Sequence, residues 1–247
     1  MGFGFKIIVE GDYACFSRPE YKSDKVSYAV PTPGALEGLI KSIYWKPAIR
    51  YVIDKIVVFN EINYMNLKRN AVGKKVSLTN VNEKIKTPSL DICIYTGNND
   101  TRMQYNAMIL KNVCYGVEFH FELTGINNSR ESETCLPEGK HADILKRRLE
   151  RGQYFKYPCL GCSEFPVNRV VLVNEFDMQK IHPEIIKLGD VNIGPMEYRV
   201  AFEDKGIPKQ GEWNKMNFSD KAHTEFYNPH MVNGVIDVDK WRRKDAY

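Results

Sequence analysis

One helix with marked ends, set between two strand-like runs, constrains the fold more than any other feature of the sequence. Thr32-Pro33 opens it, since threonine caps the free N–H groups of a first turn and proline suits the first helical position. Leu36, Leu39, Ile40 and Ile43 then recur at helical spacing and give one apolar face, with Tyr44 at its edge. Pro47 stops the helix near Trp45-Lys46, because the residue ahead of a proline is pushed out of the helical region. Before it, Phe3 to Glu10 places Phe5, Ile7 and Val9 on one side of a strand that Gly11-Asp12 should close. After it, Ile49 to Phe59 reads as a second strand.

A second round of the same pattern follows. Val113 to Thr124 alternates as a strand, and Ala142 to Arg151 forms a helix with Ile144, Leu145 and Leu149 inward, ended by Gly152. Residues 154–173 hold a further short strand. The order strand, helix, strand, insertion, strand, helix, strand predicts an α+β fold of the ferredoxin-like, RNA-recognition-motif type (βαββαβ) over residues 1–173. The four-stranded sheet of that fold is a common platform for single-stranded RNA. Residues 60–112 read as an inserted basic β-hairpin, with strand pieces near 76–81, 90–95 and 103–110 and a turn cluster at Gly97-Asn98-Asn99-Asp100. Residues 174–247 read as a small, mostly-β C-terminal domain, with strands near 197–202 and 234–238.

The net charge of +4, from 35 Lys and Arg against 31 Asp and Glu, is too small to imply a polyanionic partner by itself. Its distribution says more. Lys68, Arg69, Lys74, Lys75, Lys84 and Lys86 face only Glu83 in their stretch, and Lys140, Lys146, Arg147, Arg148 and Arg151 face only Asp143 and Glu150 in theirs. No apolar run approaches the roughly 18 residues of a membrane span, and no basic start leads into an apolar run. The expectation is a cytoplasmic protein with no membrane partner. The six scattered cysteines then read as reduced thiols. Cys159 and Cys162 have zinc-knuckle spacing without a second pair, and a structural zinc normally takes four ligands, so no metal or other cofactor is expected.

Lys140-His141 follows Gly139 at the entry of the second helix. A helix N-terminus favours a phosphate and disfavours a protonated imidazole, which keeps His141 available as a base near neutral pH, with the Lys140 charge beside it. A solvated helix start is the plainer reading of the same residues. In a βαββαβ fold both helices pack on one face of the sheet, so the end of the first and the start of the second approach one another. Tyr44, Lys140 and His141 then form one candidate site. Those groups suit RNA cleavage, in which the 2′-hydroxyl is the nucleophile, a base takes its proton and a cation offsets the charge growing on the phosphate.

A third constellation is aromatic and basic: Tyr13, Phe16, Arg18, Tyr21, Lys22, Lys25 and Tyr28. Rings stack on unpaired bases while Lys and Arg track phosphates. The same residues also read as a loop closing over the sheet with its aromatics buried.

Taken with Gly11-Asp12-Tyr13-Ala14, Arg18-Pro19-Glu20, Ser27-Tyr28, Pro31-Thr32-Pro33 and Ser42-Ile43-Tyr44-Trp45-Lys46-Pro47, the chain resembles the Cas-five family of CRISPR-associated proteins in its type I-C (Dvulg) form. Asn66-Leu67-Lys68-Arg69-Asn70, Gly139-Lys140-His141 and the Leu160 to Pro166 stretch continue the match in family order. The resemblance implies an endoribonuclease that cuts the CRISPR precursor transcript at the base of the repeat hairpin. It implies that the protein keeps the 5′ handle of the product and joins the backbone and large subunits of the Cascade complex. The family's catalytic Tyr, Lys and His fall on Tyr44, Lys140 and His141. The expected RNA contacts are Tyr13, Arg18, Lys22, Tyr28, Lys46, Lys68, Arg69, Lys74 and Lys75. Rival readings are a non-catalytic subunit that binds the RNA handle, and a protein that binds duplex DNA.

Overall fold

The computed structural model describes residues 4–21, 24–87, 93, 94, 97, 101–124, 137–202 and 222–244. Strands β1 (Gly4–Ala14), β2 (Lys25–Val26), β3 (Ile49–Val58), β4 (Tyr64–Val72), β5 (Arg102–Leu123) and β6 (Arg169–Val173) come first, with helices α1 (Pro33–Ile43), α2 (Leu78–Lys86) and α3 (Glu138–Glu150) between them. Then follow α4 (Pro183–Lys187), β7 (Asp190–Asn192), β8 (Met196–Phe202), β9 (Ala222–Tyr227), β10 (His230–Val232), β11 (Val235–Asp237) and α5 (Val238–Lys244).

The main sheet runs β6-β1-β5-β3-β11-β10-β7, and β2 and β4 also pair with β5. Every pairing is antiparallel except that of β2 with β5. The strand connected through α1 to β1 is β3, and β5 lies between the two; α3 then carries the chain from β5 to β6, beyond β1. Both helices therefore cross the same sheet. Val113, Tyr115, Val117, Phe119 and Phe121 alternate along β5 and are buried with Leu36, Leu39, Ile40 and Ile43 of α1 and Ala142, Leu145 and Leu149 of α3 in one core. The intervening positions of β5 and β3 include polar residues: His120 is 2.7 Å from Asp54, and Arg242 of α5 donates to the same carboxylate at 3.0 Å. The β3–β5 register shifts between Ile53 and Lys55, at Asp54.

The first helix, the strand after it and the second helix fall where expected, but the insertion differs: its outer strand is β4 at Tyr64–Val72, and the pieces expected at 103–110 and 113–124 are one strand, β5. β1 does not end at Gly11-Asp12 but runs on to Ala14, pairing Tyr13 with Lys111 and Ala14 with Leu110. Gly11 allows this because Leu160 packs where a Cβ would be, 2.3 Å from its ideal position. The 76–81 piece is not a strand: Ser77 caps α2 by accepting from the Thr79 N–H at 3.2 Å, and no residue of that helix is buried. The insertion is still hairpin-like, with β4 paired to β5 from Tyr64↔Leu110 to Val72↔Arg102. Most of the 90–95 piece and of the turn cluster lies outside the described residues. Where β5 changes partners from β4 to β3, Asn112 takes φ 51°, and Asn60 Nδ2 donates to its carbonyl at 2.7 Å.

The stretch after residue 173 shares the core of the first. β11 pairs with β3 (Val235↔Val57, Ile236↔Ile56), and Ile185, Met231, Ile236 and Val238 join the main buried cluster. β8 and β9 make a separate two-stranded sheet. Tyr198 and Tyr227 from that pair pack against Trp241 of α5, at 5.1 and 5.2 Å between ring centroids. Gly34 of α1 fits tightly under β8, since a Cβ there would sit 3.1 Å from the Tyr198 carbonyl oxygen.

The loop from Pro158 to Pro166 is clamped to β1 by the Cys15 N–H bond to the Leu160 carbonyl at 3.0 Å. Gly161 has φ +83°, and a Cβ on it would lie 2.0 Å from the Cys15 carbonyl oxygen. Neither the angle nor the space admits a side chain. Gly161→Ala should therefore lower the free energy of unfolding by at least about 2 kcal/mol, read from urea melts of the two proteins.

Candidate active site

Tyr44 is the first residue beyond α1. Its backbone is extended (φ −148°, ψ 127°) while its N–H still bonds the Ile40 carbonyl at 3.1 Å. The helix therefore ends on Tyr44, whose ring packs inward and is 3 % exposed. Two bonds fix that end. Tyr51 Oη of β3 donates to the Tyr44 carbonyl at 2.8 Å, and Arg148 Nη1 of α3 donates to the Ile43 carbonyl at 2.6 Å. The Arg148 guanidinium also lies over the Tyr44 ring, 5.3 Å from its centroid.

His141 stands on the first turn of α3 and is fully buried. Its Nδ1 is 2.8 Å from Tyr44 Oη, and its ring meets the edge of Phe121 at 6.4 Å. Nε2 has no protein partner. Burial raises the Tyr44 pKa above the ordinary phenol value, opposed by the Arg148 charge. Burial also lowers the His141 pKa, and the Lys46 charge lowers it further. Both rings are thus neutral at pH 7, a protonated phenol against an imidazole with a free lone pair. Lys140 is exposed one residue before His141, and Lys46 is exposed two residues after Tyr44.

The three residues expected to act together are therefore neighbours, with Lys46 close enough to perturb His141. Arg148 and Tyr51 complete the site; the sequence marks Arg148 only as one of a basic stretch and does not single out Tyr51. The spacing of Arg148 from His141, seven residues or two helical turns, puts both on one face of α3 and is a readable signal. Tyr51 gives none, because its role lies in a hydroxyl that reaches across from another element.

The remaining candidates sit elsewhere. Tyr13 is exposed, edge-on to Phe165 at 6.4 Å. Tyr28 is corrected: it is only 2 % exposed, its hydroxyl accepts from the Glu197 N–H at 3.3 Å, and Arg18 covers its ring at 4.9 Å. It offers no face to a base and instead seats Arg18, which also pairs with Glu20 at 3.8 Å. Phe16 is buried as well. Lys22 lies outside the described residues. Lys68 is exposed on β4, and Lys74 and Lys75 are exposed between β4 and α2. Arg69 pairs with Glu164, which Lys25 also meets at 3.4 Å. Lys25 Nζ is 3.7 Å from Cys162 Sγ. The Cys15 side chain, Ser17 and Lys25 together bring the Cys162 thiol down to about 6. Among the described residues, no three His, Cys, Asp or Glu side chains gather as metal ligands.

A mixed α/β frame of this kind, with a mostly antiparallel sheet, is shared with solved proteins. A functionally uncharacterized protein, SMU1763c from Streptococcus mutans, superposes with a TM-score of 0.60 at 21% identity over 95% of this chain and 91% of that one. A protein solved as a CRISPR-associated protein gives 0.58 at 19% identity over 96% and 91%. Residues 5–239 match the family described as CRISPR-associated protein (Cas_Cas5), and the chain belongs to that family. It is 35% identical over 233 residues to the CRISPR pre-crRNA endoribonuclease Cas5d of Mannheimia succiniciproducens, covering 94% of this chain and 93% of the relative. It is 34% identical over 206 residues to the protein of the same name from Thermus thermophilus, covering 83% and 76%.

The depressed His141 pKa has a sign that can be checked. The folded state disfavours the imidazolium, so the stability contributed is complete above the ordinary histidine value of about 6.5 and is lost as pH falls through the lower folded value. An NMR titration of the His141 imidazole should show a midpoint below that ordinary value. Lys46→Met should move the midpoint upward, and an unchanged midpoint would remove Lys46 from the field at the site.

Proposed function

We propose that this chain is the endoribonuclease that cuts CRISPR repeat RNA, without a metal ion, by attack of the RNA's own 2′-hydroxyl. The observation that carries the reading is the buried Tyr44–His141 hydrogen bond beside Lys140, in a chain whose two curated relatives are named pre-crRNA endoribonucleases. The strand order β6-β1-β5-β3 supports a ferredoxin-like core, and the sequence resemblance supports the type I-C form. On this reading the protein is cytoplasmic, keeps the 5′ handle and serves beside the backbone and large subunits of Cascade.

The electrostatics support a division of roles. Burial keeps the Tyr44 phenol protonated, so it is no base by itself, and keeps His141 unprotonated, so it is one. The 2′-hydroxyl gives its proton to Tyr44 Oη while the phenol proton passes to His141 Nδ1. The 2′-oxygen bonds to phosphorus and the bond to the 5′-oxygen breaks. Lys140 faces the charge that grows on the phosphate and protonates the departing oxygen. The products are a 2′,3′-cyclic phosphate and a 5′-hydroxyl, and water carries the imidazolium proton back to the Lys140 amine, which restores both groups.

His141→Ala and Tyr44→Phe should each lower the single-turnover rate on repeat RNA by at least about 100-fold, with RNA affinity within a few fold. Wild-type protein should cut in excess EDTA and fail when the nucleotide before the cut carries 2′-deoxyribose. A magnesium requirement, or cleavage of the deoxy substrate, would refute the internal nucleophile. RNA bound but never cut by wild-type protein would leave a handle-binding subunit, and preference for duplex DNA at fixed salt would leave the DNA-binding reading.

The hairpin insertion serves binding. Lys74 and Lys75 are exposed beyond the end of β4 that pairs with Arg102, away from the Phe121 end of β5 where His141 sits, which suits phosphate binding without a part in chemistry. Lys74→Ala/Lys75→Ala should weaken RNA binding and flatten its log–log salt dependence by about 0.7 to 0.9 for each phosphate no longer neutralised. The rate at saturating protein should stay nearly intact; an unchanged slope would exclude RNA binding there.

A further inference from the structure

The cavity that shares Arg148 with the Tyr44 ring has a use the catalytic pair does not explain. It encloses about 270 Å³ and is lined by Ile43, Arg148, Tyr154, Tyr157, Pro158 and Arg169, among others. Tyr154 and Tyr157 stand in the open at 47% and 53% exposure and meet edge to face at 5.0 Å between centroids. Phe155, between them in sequence, is 67% exposed. The segment is not a loose loop. The Phe155 and Lys156 N–H groups both bond the Ser42 carbonyl, at 3.2 and 3.3 Å, and Tyr157 Oη donates to the Val167 carbonyl at 3.3 Å. It is therefore fastened to the end of α1, two residues before Tyr44. Lys156 and Arg169 are exposed around it.

Three adjacent exposed aromatics are a costly surface for a protein to keep unless something covers them. Their setting narrows what that is. Cationic side chains surround the rings, so the occupant is anionic as well as flat. The Arg148 wall is shared with the catalytic tyrosine, so the occupant lies next to the reacting phosphate. A base inside a helical stem has both faces stacked, whereas an unpaired base has faces free for aromatic side chains.

We infer that the Tyr154–Tyr157 cavity seats the base of one unpaired ribonucleotide next to the scissile phosphate, with Arg169 on its backbone. This deepens the nuclease reading and rests on it. The site gives the enzyme a way to fix which phosphate reaches Tyr44, since a stacked base pins the adjoining backbone.

The test combines protein variants with abasic substitutions in the repeat RNA at the nucleotides flanking the cut. Stacking on an aromatic is worth about 1–3 kcal/mol per base, so Tyr154→Leu should weaken RNA binding by at least about fivefold. Tyr154→Phe, which keeps the ring, should bind as wild type does. An abasic nucleotide at one flank should cost the same as Tyr154→Leu, and the two together should cost no more than either alone. Additive losses, or Tyr154→Leu binding within twofold of wild type, would overturn the base site and give the aromatic patch to a protein partner. Thermal melts identify a variant that has lost its fold, in which case Tyr157→Leu and the abasic series carry the decision. Failure of the nuclease reading looks different: wild-type protein would then leave the unmodified RNA uncut, whatever happens at Tyr154.

Discussion

β5 is the constraint from which the rest follows. One strand of 22 residues pairs with β1, β3, β4 and β2, and its alternate residues supply the buried floor for α1 and α3. An antiparallel ladder satisfies the backbone groups of both partners at once, so a central strand that changes neighbours along its length can hold elements far apart in sequence. α1 and α3 meet only because both lie on this floor. The polar side of the same strands is closed by Asp54, His120 and Arg242, which ties α5 and the end of the chain to the first half.

Two polar rings buried at the meeting of α1 and α3 are tolerable because they satisfy one another. An unpaired buried hydroxyl or ring nitrogen costs about 1–3 kcal/mol, and the Tyr44–His141 bond removes two such costs together. His141 Nε2 remains unpaired by protein, which is a poor choice for stability alone. Burial also holds both groups neutral, the condition under which one accepts a proton the other carries. The surrounding bonds from Tyr51 and Arg148 do not touch that proton; they hold the helix end that presents it.

Much of this is legible in the sequence, for identifiable reasons. Thr32-Pro33, the Leu36 to Ile43 stripe and Pro47 mark α1 by strictly local chemistry, and its register places Tyr44 at the end. The likeness of Gly139-Lys140-His141 to a family motif supplies the partner. What stays hidden depends on interactions between distant segments. Tyr28 looks like a stacking ring because its neighbours are basic, yet Arg18 lies on it and the core takes it. The strand-like pattern of Val76 to Val81 yields to a serine cap. The final seventy residues, read as a separate unit, add strands beside β3, a pairing that no local pattern announces.

Asn112 gives the long strand a further consequence. At its positive φ the ladder passes from β4 to β3, while β1 pairs with β5 on both sides of the junction. From Met103, near the basic tip, to Phe121, against His141, the backbone runs roughly 60 Å at about 3.3 Å per residue. A polymer that touches both places must match a distance set by the protein backbone. The strand thus makes the spacing between the basic insertion and the Tyr44–His141 pair a property of one hydrogen-bonded backbone.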